Sequence, residues 1–295
     1  MSEVTAAVRG AVVREDTSHD GISHDGTSHD GTSRCGTSPR GTSIRAMLRD
    51  AGTLTGRCVR LSARQVDAVI TALALPVMLM LVFVYFFGGA IDTGTRYVTY
   101  VVPGVLALCA GFGAATTAVS VSQDMKDGII DRLRSMDVSG TAMLTGHVLA
   151  SAVRNTVATA VVFGVAFLIG FRPGAGAAGW LAAGAVLIAY ILALSWLSAA
   201  VGLLVRSPEA AGGFTFFVMF LPYPSSAFVP IETMPGWLHG FSEHQPATPV
   251  IESLRELLLG QPAGATAWQA LAWCGGIVAA SVPAAAALFR RRTRG

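Results

Sequence analysis

Long uncharged apolar runs alternate along the chain with short polar links. The runs cover Val69–Phe87, Val98–Val121, Asn155–Phe171, Ala177–Val205, Ala210–Ile231 and Trp268–Phe289. A bilayer's hydrocarbon core takes about 20 residues of helix to cross. Lipid offers the backbone no hydrogen-bond partner, so a spanning run must satisfy itself as helix. The pattern predicts an all-α, polytopic membrane protein with six transmembrane helices. Pro76 falls inside the first run, where a span tolerates it better than a soluble helix does. His147 and Arg154 fall in an amphipathic lead-in to the third run, seven residues apart and so on one helical face. Gly111, Gly113, Gly164 and Gly202 are candidates for close helix contact, or for ordinary packing within one bundle.

Ahead of the first run the pattern changes twice. Residues 17 to 43 read TSHDG ISHDG TSHDG TSRCG TSPRG TS, a five-residue repeat of polar turn formers. It has too little apolar surface to offset chain entropy, so residues 1–46 are expected to be a disordered, low-complexity tail. His19, His24 and His29 each precede an Asp, but a loose repeat does not fix the geometry a metal needs. The organised sequence begins near Met47. RCVRLSARQVDA, residues 57 to 68, interleaves Arg57, Arg60 and Arg64 with Val59, Leu61 and Val66. That suits an amphipathic helix lying at the membrane surface within residues 47–68. The six-span domain then occupies residues 69–292. No early apolar core with a cleavage site precedes it, so the N-terminus is expected in the cytoplasm.

Composition agrees with the pattern. The chain is 52% hydrophobic and 13% charged, about half the charge of a soluble domain. Its four cysteines, Cys35, Cys58, Cys109 and Cys274, are scattered without metal-ligand spacing and read as unpaired small apolar residues. The placement of the cations sets the topology. With the N-terminus inside, seventeen of the twenty-one Lys and Arg fall on the cytoplasmic side, and Arg154 lies at that side of span three. Only Arg96, Arg172 and Arg255 fall outside, beside Asp92, Glu232, Glu243, Glu252 and Glu256. Both termini therefore come out cytoplasmic in a multi-pass protein.

The outer segment after span five is dense in proline: Pro222, Pro224, Pro230 and Pro235. They predict a broken backbone rather than one straight helix. Trp237 suits the membrane interface. A short helix is expected to start at Thr248–Pro249, with Thr as N-cap and Pro at N1, and to end at Gly260. Ile251, Leu254 and Leu258 would form its apolar stripe, and Glu252, Arg255 and Glu256 a polar face with one internal ion pair. His239 and His244 flank Glu243, but the spacing is not a zincin motif, and both read as surface residues.

DMKDGIIDRLRSMD, residues 124 to 137, places seven charges in fourteen positions and holds the chain's single lysine, Lys126. As a helix it would stripe Ile129, Ile130, Leu133 and Met136 on one side, with Asp127, Asp131 and Arg134 on the other. Asp124 and Asp127 would then sit near its N-terminus, favoured by the helix dipole. By composition alone such a stretch is equally a solvated link that obeys the charge rule.

Three segments carry a resemblance. QDMKDGIIDRLRSMDVSGTAMLTGHVLA resembles the acidic-x-x-x-Gly-x-x-x-Arg-Leu-Arg-Ser-x-Pro pattern of ATP-binding-cassette type-2 exporter permeases, of the daunorubicin/doxorubicin-resistance type. Asp124, Gly128, Arg132, Leu133, Arg134 and Ser135 match, and Asp137 stands where proline is common. LSWLSAAVGLLVRSPEAAG is similar to that family's fourth span and short cytoplasmic loop. SSAFVPIETMPGWLHGFSEHQPATPVIESLRELLLG is similar to its segment between spans five and six. The likeness covers roughly residues 55 to 292.

The resemblance implies that the 124–137 stretch is a cytoplasmic coupling helix docking a separate ATPase subunit through Asp124, Lys126, Asp127, Gly128, Asp131, Arg132, Leu133, Arg134 and Ser135. It implies an outer re-entrant helical hairpin, carrying Pro230, Pro235, Trp237, Glu252, Arg255 and Glu256. It further implies a second permease copy, identical or merely similar, a place in the bacterial cell membrane, and export of a hydrophobic drug, natural product or lipid-like substrate. No cofactor would bind this chain directly, and ATP and Mg would be used by the partner ATPase. Nucleic acid is not among the expected partners.

The chain carries no G-x-x-x-x-G-K-S/T, HExxH or GxSxG sequence. A pump built on it needs an engine elsewhere, and it is expected not to be an enzyme. Two other classes compete. A lipid-modifying membrane enzyme would need polar groups in the spans, for which His147 and Arg154 are the candidates. A secondary transporter would need internal repeats or midplane ionisable residues, and neither is visible.

Overall fold

The computed structural model describes residues 66–91, 96–128, 140–262 and 264–292. Every regular element among them is helical. In chain order these are α1 (Val66–Val82), extended by a π-helical turn at Phe83–Phe87; α2 (Tyr97–Lys126); α3 (Gly140–Ile169); α4 (Ala177–Leu204); α5 (Pro208–Phe220); α6 (Gly236–His244); α7 (Ala247–Leu258); and α8 (Ala265–Arg292). The tail 1–46, and all of the surface helix expected within 47–68 except its last three residues, lie outside the described residues.

Four helices are long and apolar enough to cross a bilayer: α2, α3 from Met143, α4 and α8. The first apolar run is helical from Val66 through the π turn, with Pro76 inside it. The fifth differs from the expected span Ala210–Ile231. Its helix stops at Phe220, and residues 221–229 form turns. Pro222 and Pro224 remove two N–H donors within three residues, which no α-helix absorbs. The third run differs in the other direction. No break separates a lead-in from a span at Asn155; α3 is one helix from Gly140 to Ile169, with His147, Ser151 and Arg154 bonded to α2 and α4 along one side.

The helix at the centre is α2. Within its membrane-crossing window 83% of residues are buried, against 22% for α3 and 17% for α8. An apolar helix buried on all sides is a core element, whereas α3 and α8 leave most of their apolar surface for lipid or another subunit. Packing divides into two layers along the bundle. At one end Val121, Leu144, Val148, Leu203 and Ala285 form a small cluster that joins α2, α3, α4 and α8. Lys126, Arg206 and Arg290–Arg292 belong to this basic end, where Arg292 donates to the carbonyl of Val205 at 2.6 Å and so caps α4. The larger cluster fills the opposite end and includes Val101, Leu106, Phe171, Phe228, Ile251, Leu254 and Leu258.

Close backbone contact depends on particular glycines. A β-carbon on Gly202 would lie 2.6 Å from the carbonyl oxygen of Ala118, and one on Gly113 would overlap the Asn155 amide. Gly111 makes only ordinary contacts, and a β-carbon on Gly164 would meet open space. Of the two alternatives, Gly164 makes no close helix contact within this chain; it lies on the exposed face of α3. An approach as close as that at Gly202 occurs at Gly104 of α2, where a β-carbon would come within 2.6–2.7 Å of the oxygen, Cα and Cβ of Ala227. This contact seats the broken 221–229 segment against the central helix. Gly104→Val is expected to destabilise the fold by about 1–3 kcal/mol, the usual cost of overpacking. Gly164→Ala should be neutral or stabilise slightly. Thermal unfolding of both variants in detergent checks the contrast, and equal shifts would refute it.

Candidate functional site

Three polar constellations stand out in this apolar bundle. The first is at the basic end, where the charged stretch begins. Asp124 and His147 meet at 3.0 Å between oxygen Oδ2 and Nε2, tying the end of α2 to the start of α3 across the intervening link. His147 is 9% exposed. Asp124 and Asp127 do not lie at a helix N-terminus as expected. They lie at the C-terminal end of α2, which runs on through Lys126. Asp127 is its C-cap and accepts from the Gln123 amide at 2.9 Å. Gly128 then takes φ +66, the left-handed conformation that ends helices. The dipole disfavours carboxylates at that end, so His147 and Gln123 supply the compensation. Lys126 and Asp127 are exposed. Asp131, Arg132, Leu133, Arg134 and Ser135 lie outside the described residues.

The second constellation is a polar seam where α3 crosses α2 and α4. Arg154 donates to the Gly113 carbonyl at 3.1 Å and to the Thr116 hydroxyl at 2.8 Å. Ser151 and Ser195 share a hydrogen bond at 3.0 Å, and Asn155 donates to Ser151 at 3.3 Å. Ser151, Asn155 and Ser195 are fully buried. Thus His147, Ser151, Arg154 and Asn155 form one face of α3, recurring at helical spacing. The expectation that His147 and Arg154 share a face holds, and that face is bound to α2. The seam itself was missed. The signal is Ser151 between His147 and Arg154, with Asn155 just after Arg154: two polar residues four apart in a span, where such groups serve as interhelical glue.

The third is at the opposite end and centres on Arg255 of α7. Its guanidinium meets Glu252 at 2.7 Å, the Ser226 carbonyl at 2.7 Å and the Tyr100 carbonyl at 3.3 and 3.4 Å. It also lies 3.8 Å from the centre of the Tyr100 ring, a cation–π distance. The expected ion pair is there, but Arg255 is not on a surface face: it is 9% exposed. A buried guanidinium needs its donors used, and the irregular backbone around Ser226 uses them. Tyr97 adds a hydrogen bond from its hydroxyl to the Phe228 carbonyl at 2.8 Å. Phe228 stacks on Phe83 of the π turn, with centroids 4.3 Å apart.

The other outer residues divide between the two roles expected of them. Ile251, Leu254 and Leu258 are buried as the apolar stripe of α7. Glu256 accepts from Thr266 and so ties α7 to α8. Pro230 precedes a short 3₁₀ turn and Pro235 is the N-cap of α6. Trp237 is 81% exposed beside exposed Phe241, as an interfacial anchor would be. His239 is partly buried and bonds the Met234 carbonyl, while His244 is exposed. The helix start expected at Thr248 is corrected. α7 begins at Ala247 with Pro246 before it, since Pro246 already holds helical dihedrals. The Thr248 hydroxyl instead donates to the Ser242 carbonyl and closes the α6–α7 corner.

A long central helix, a charged link tied at both ends, and a proline-broken outer segment pinned by an arginine form a recognisable set. The sequence model described as ABC-2 type transporter matches residues 50–259. The chain belongs to the ABC-2 type transporter family. Relatives within it include the daunorubicin resistance ABC transporter permease protein DrrB1 of Streptomyces coeruleorubidus. It is 31% identical over 220 residues, covering 74% of this chain and 78% of that protein. The probable doxorubicin resistance ABC transporter permease protein DrrC of Mycobacterium tuberculosis is 28% identical over 242 residues, covering 81% and 88%. This ABC-2 chain is accordingly a membrane-spanning permease subunit of an ABC exporter.

In this permease the Arg255 cage tests the local argument. Arg255→Met leaves buried carbonyls and Glu252 without their donor. It is expected to cost about 2–3 kcal/mol, the range for hydrogen bonds to charged groups. Arg255→Lys should recover less than half of that, because a single ammonium cannot reproduce the planar fork. Thermal unfolding in detergent reads both variants, and full recovery by lysine would show that charge alone matters.

Proposed function

We propose that the chain works with a separate ATPase subunit docked on the 124–137 stretch, and that two permease copies enclose the transport pathway. The observation that carries this is the anchoring of that stretch. Asp124, which opens the stretch, is joined to His147, two turns into α3 and twenty-three residues on, so force applied to the link would reach α2 and α3 together. The acidic-x-x-x-Gly-x-x-x-Arg-Leu-Arg-Ser pattern lies between them. Membership in the ABC-2 family supports an ATPase partner.

Orientation follows from charge. Lys126, Arg206 and Arg290–Arg292 share one end of the bundle, and Glu232, Glu243, Glu252 and Glu256 belong to the other. The charge rule places the basic end in the cytoplasm, with both termini. ATP and Mg are then used by the partner, and its closure moves the link. The named relatives are described by resistance to daunorubicin and doxorubicin, and we read the substrate as a hydrophobic drug or natural product of similar character. The membrane-enzyme alternative rested on His147 and Arg154. Both are engaged in holding α3 to α2, which leaves that reading without its acid–base pair.

Co-expression with the product of the adjacent gene, followed by purification from membranes, tests the docking. The intact chain should retain an ATPase, and the Asp124→Ala, Arg132→Ala, Arg134→Ala triple variant should lose it while inserting normally. Equal retention by both would place the docking surface elsewhere, and no ATPase on either would defeat the reading.

A further inference from the structure

A trough runs along the seam of α3 and α4, away from the three polar constellations. Its outer part, about 510 Å³, is bounded by Leu149, Val153, Val157 and Ile188. Its inner part, about 150 Å³, reaches Leu106, Phe163, Trp180, Gly184 and Leu254. Thr156, Ile188 and Ile191 border both, so the two adjoin. The combined space is in the range of small-molecule sites, which are mostly apolar with a few placed polar groups.

The polar group here is Thr159. It is 8% exposed, lines the inner part, and its hydroxyl has no hydrogen-bond partner. Thr117, Ser198 and Ser226 are also buried hydroxyls without a partner, but Thr159 is the one of the four that lines the trough. Thr156, one turn away, bonds the carbonyl four residues earlier at 2.8 Å, as Ser120 and Ser281 do. Thr159 is ten residues from the end of α3, about 15 Å by helical rise. That is hydrocarbon depth, where an unmet hydroxyl is costly. Phe163 and Trp180 form an aromatic wall, with ring centroids 5.3 Å apart. A β-carbon on Gly184 would meet nothing, so that side of the slot is open.

We propose that this trough binds a flat, largely apolar molecule that carries an acceptor oxygen and enters from the bilayer. The proposal rests on the exporter reading and names where its substrate is first held. Thr159 donates to the acceptor oxygen, and Phe163 and Trp180 present the surface for a ring. A lipid acyl chain fits the volume but not the hydroxyl: it has no acceptor at this depth, since its ester oxygens stay at the headgroup boundary.

The test uses the full chain, co-purified with its ATPase into nanodiscs, with Trp196, Trp237, Trp268 and Trp273 changed to Phe so that Trp180 is this chain's sole tryptophan, and with the signal of the same preparation carrying Trp180→Phe subtracted. The probe is 1,4-dihydroxyanthraquinone. It should quench Trp180 saturably. Thr159→Val, close in shape, should weaken the apparent affinity at least threefold. Gly184→Leu should remove the saturable component. Quenching that rises linearly with probe, or that is unchanged in Thr159→Val, overturns the proposal even where Gly184→Leu fails to fold. Quenching of Trp180 by dibrominated acyl chains that the quinone cannot relieve shows a lipid-filled trough and also overturns it. ATPase retention in the same preparations reports separately on the exporter reading.

Discussion

The unsatisfied carbonyl is the constraint on which the outer half of this protein depends. A chain that leaves the helical state inside a bilayer must find a partner for each freed polar group. Between Leu221 and Val229 the prolines force that departure, and the partners come from side chains. Ser225 bonds the Pro222 carbonyl, Gln245 donates to Pro224, Arg255 to Ser226 and Tyr97 to Phe228. Ser225 lies in the segment itself, but the other donors sit on α2, on α7 and just before α7, so the break cannot be maintained unless those elements are in place. Gly104 lets the segment lie directly on α2. The prolines thus make the α6–α7 hairpin and the central helix a single mechanical unit.

The opposite end is held by a different logic. There the helices are regular, and the ties are ionic or polar side chains crossing between them: Asp124 to His147, Arg154 to Gly113 and Thr116, Ser151 to Ser195. Ties of this kind in membranes are individually modest, of order 1 kcal/mol. Removing one leaves a helix interface that still packs. Such an interface can shift in register or tilt more readily than the caged outer segment, which loses several buried hydrogen bonds at once. In the proposed coupling, movement delivered at the link between α2 and α3 would have a compliant end to act on and a stiff end to act against.

The helical class and the number of apolar runs were readable because lipid imposes a length and a period on every span. The broken segment was readable from its prolines, and the stripe of α7 from Ile251, Leu254 and Leu258. Side-chain partners were not. Arg255 and Glu252 look like an exposed i, i+3 pair in the sequence, and nothing local reveals that Tyr100, 155 residues away, closes over them. Asp124 was assigned to the wrong helix end because charge density marks a stretch, while Gly128 marks the boundary. A single glycine among seven charges is a small signal, and it was the decisive one.

In the proposed coupling, that boundary decides how the charged stretch would transmit force. If Asp124 opened a separate helix, rotation of that helix would be decoupled from α2 by a flexible junction. It is instead on the last turns of α2, whose 30 residues run unbroken from the Arg255 cage to the basic end. α2 is also the most buried of the spans. This central helix is continuous, with Pro103 inside it, and is about 45 Å long at the standard rise. One end of it bears the Asp124–His147 tie, and the other bears Tyr97 and Tyr100, which hold the outer segment. The two functional ends of this permease are joined by covalent backbone rather than by a chain of contacts.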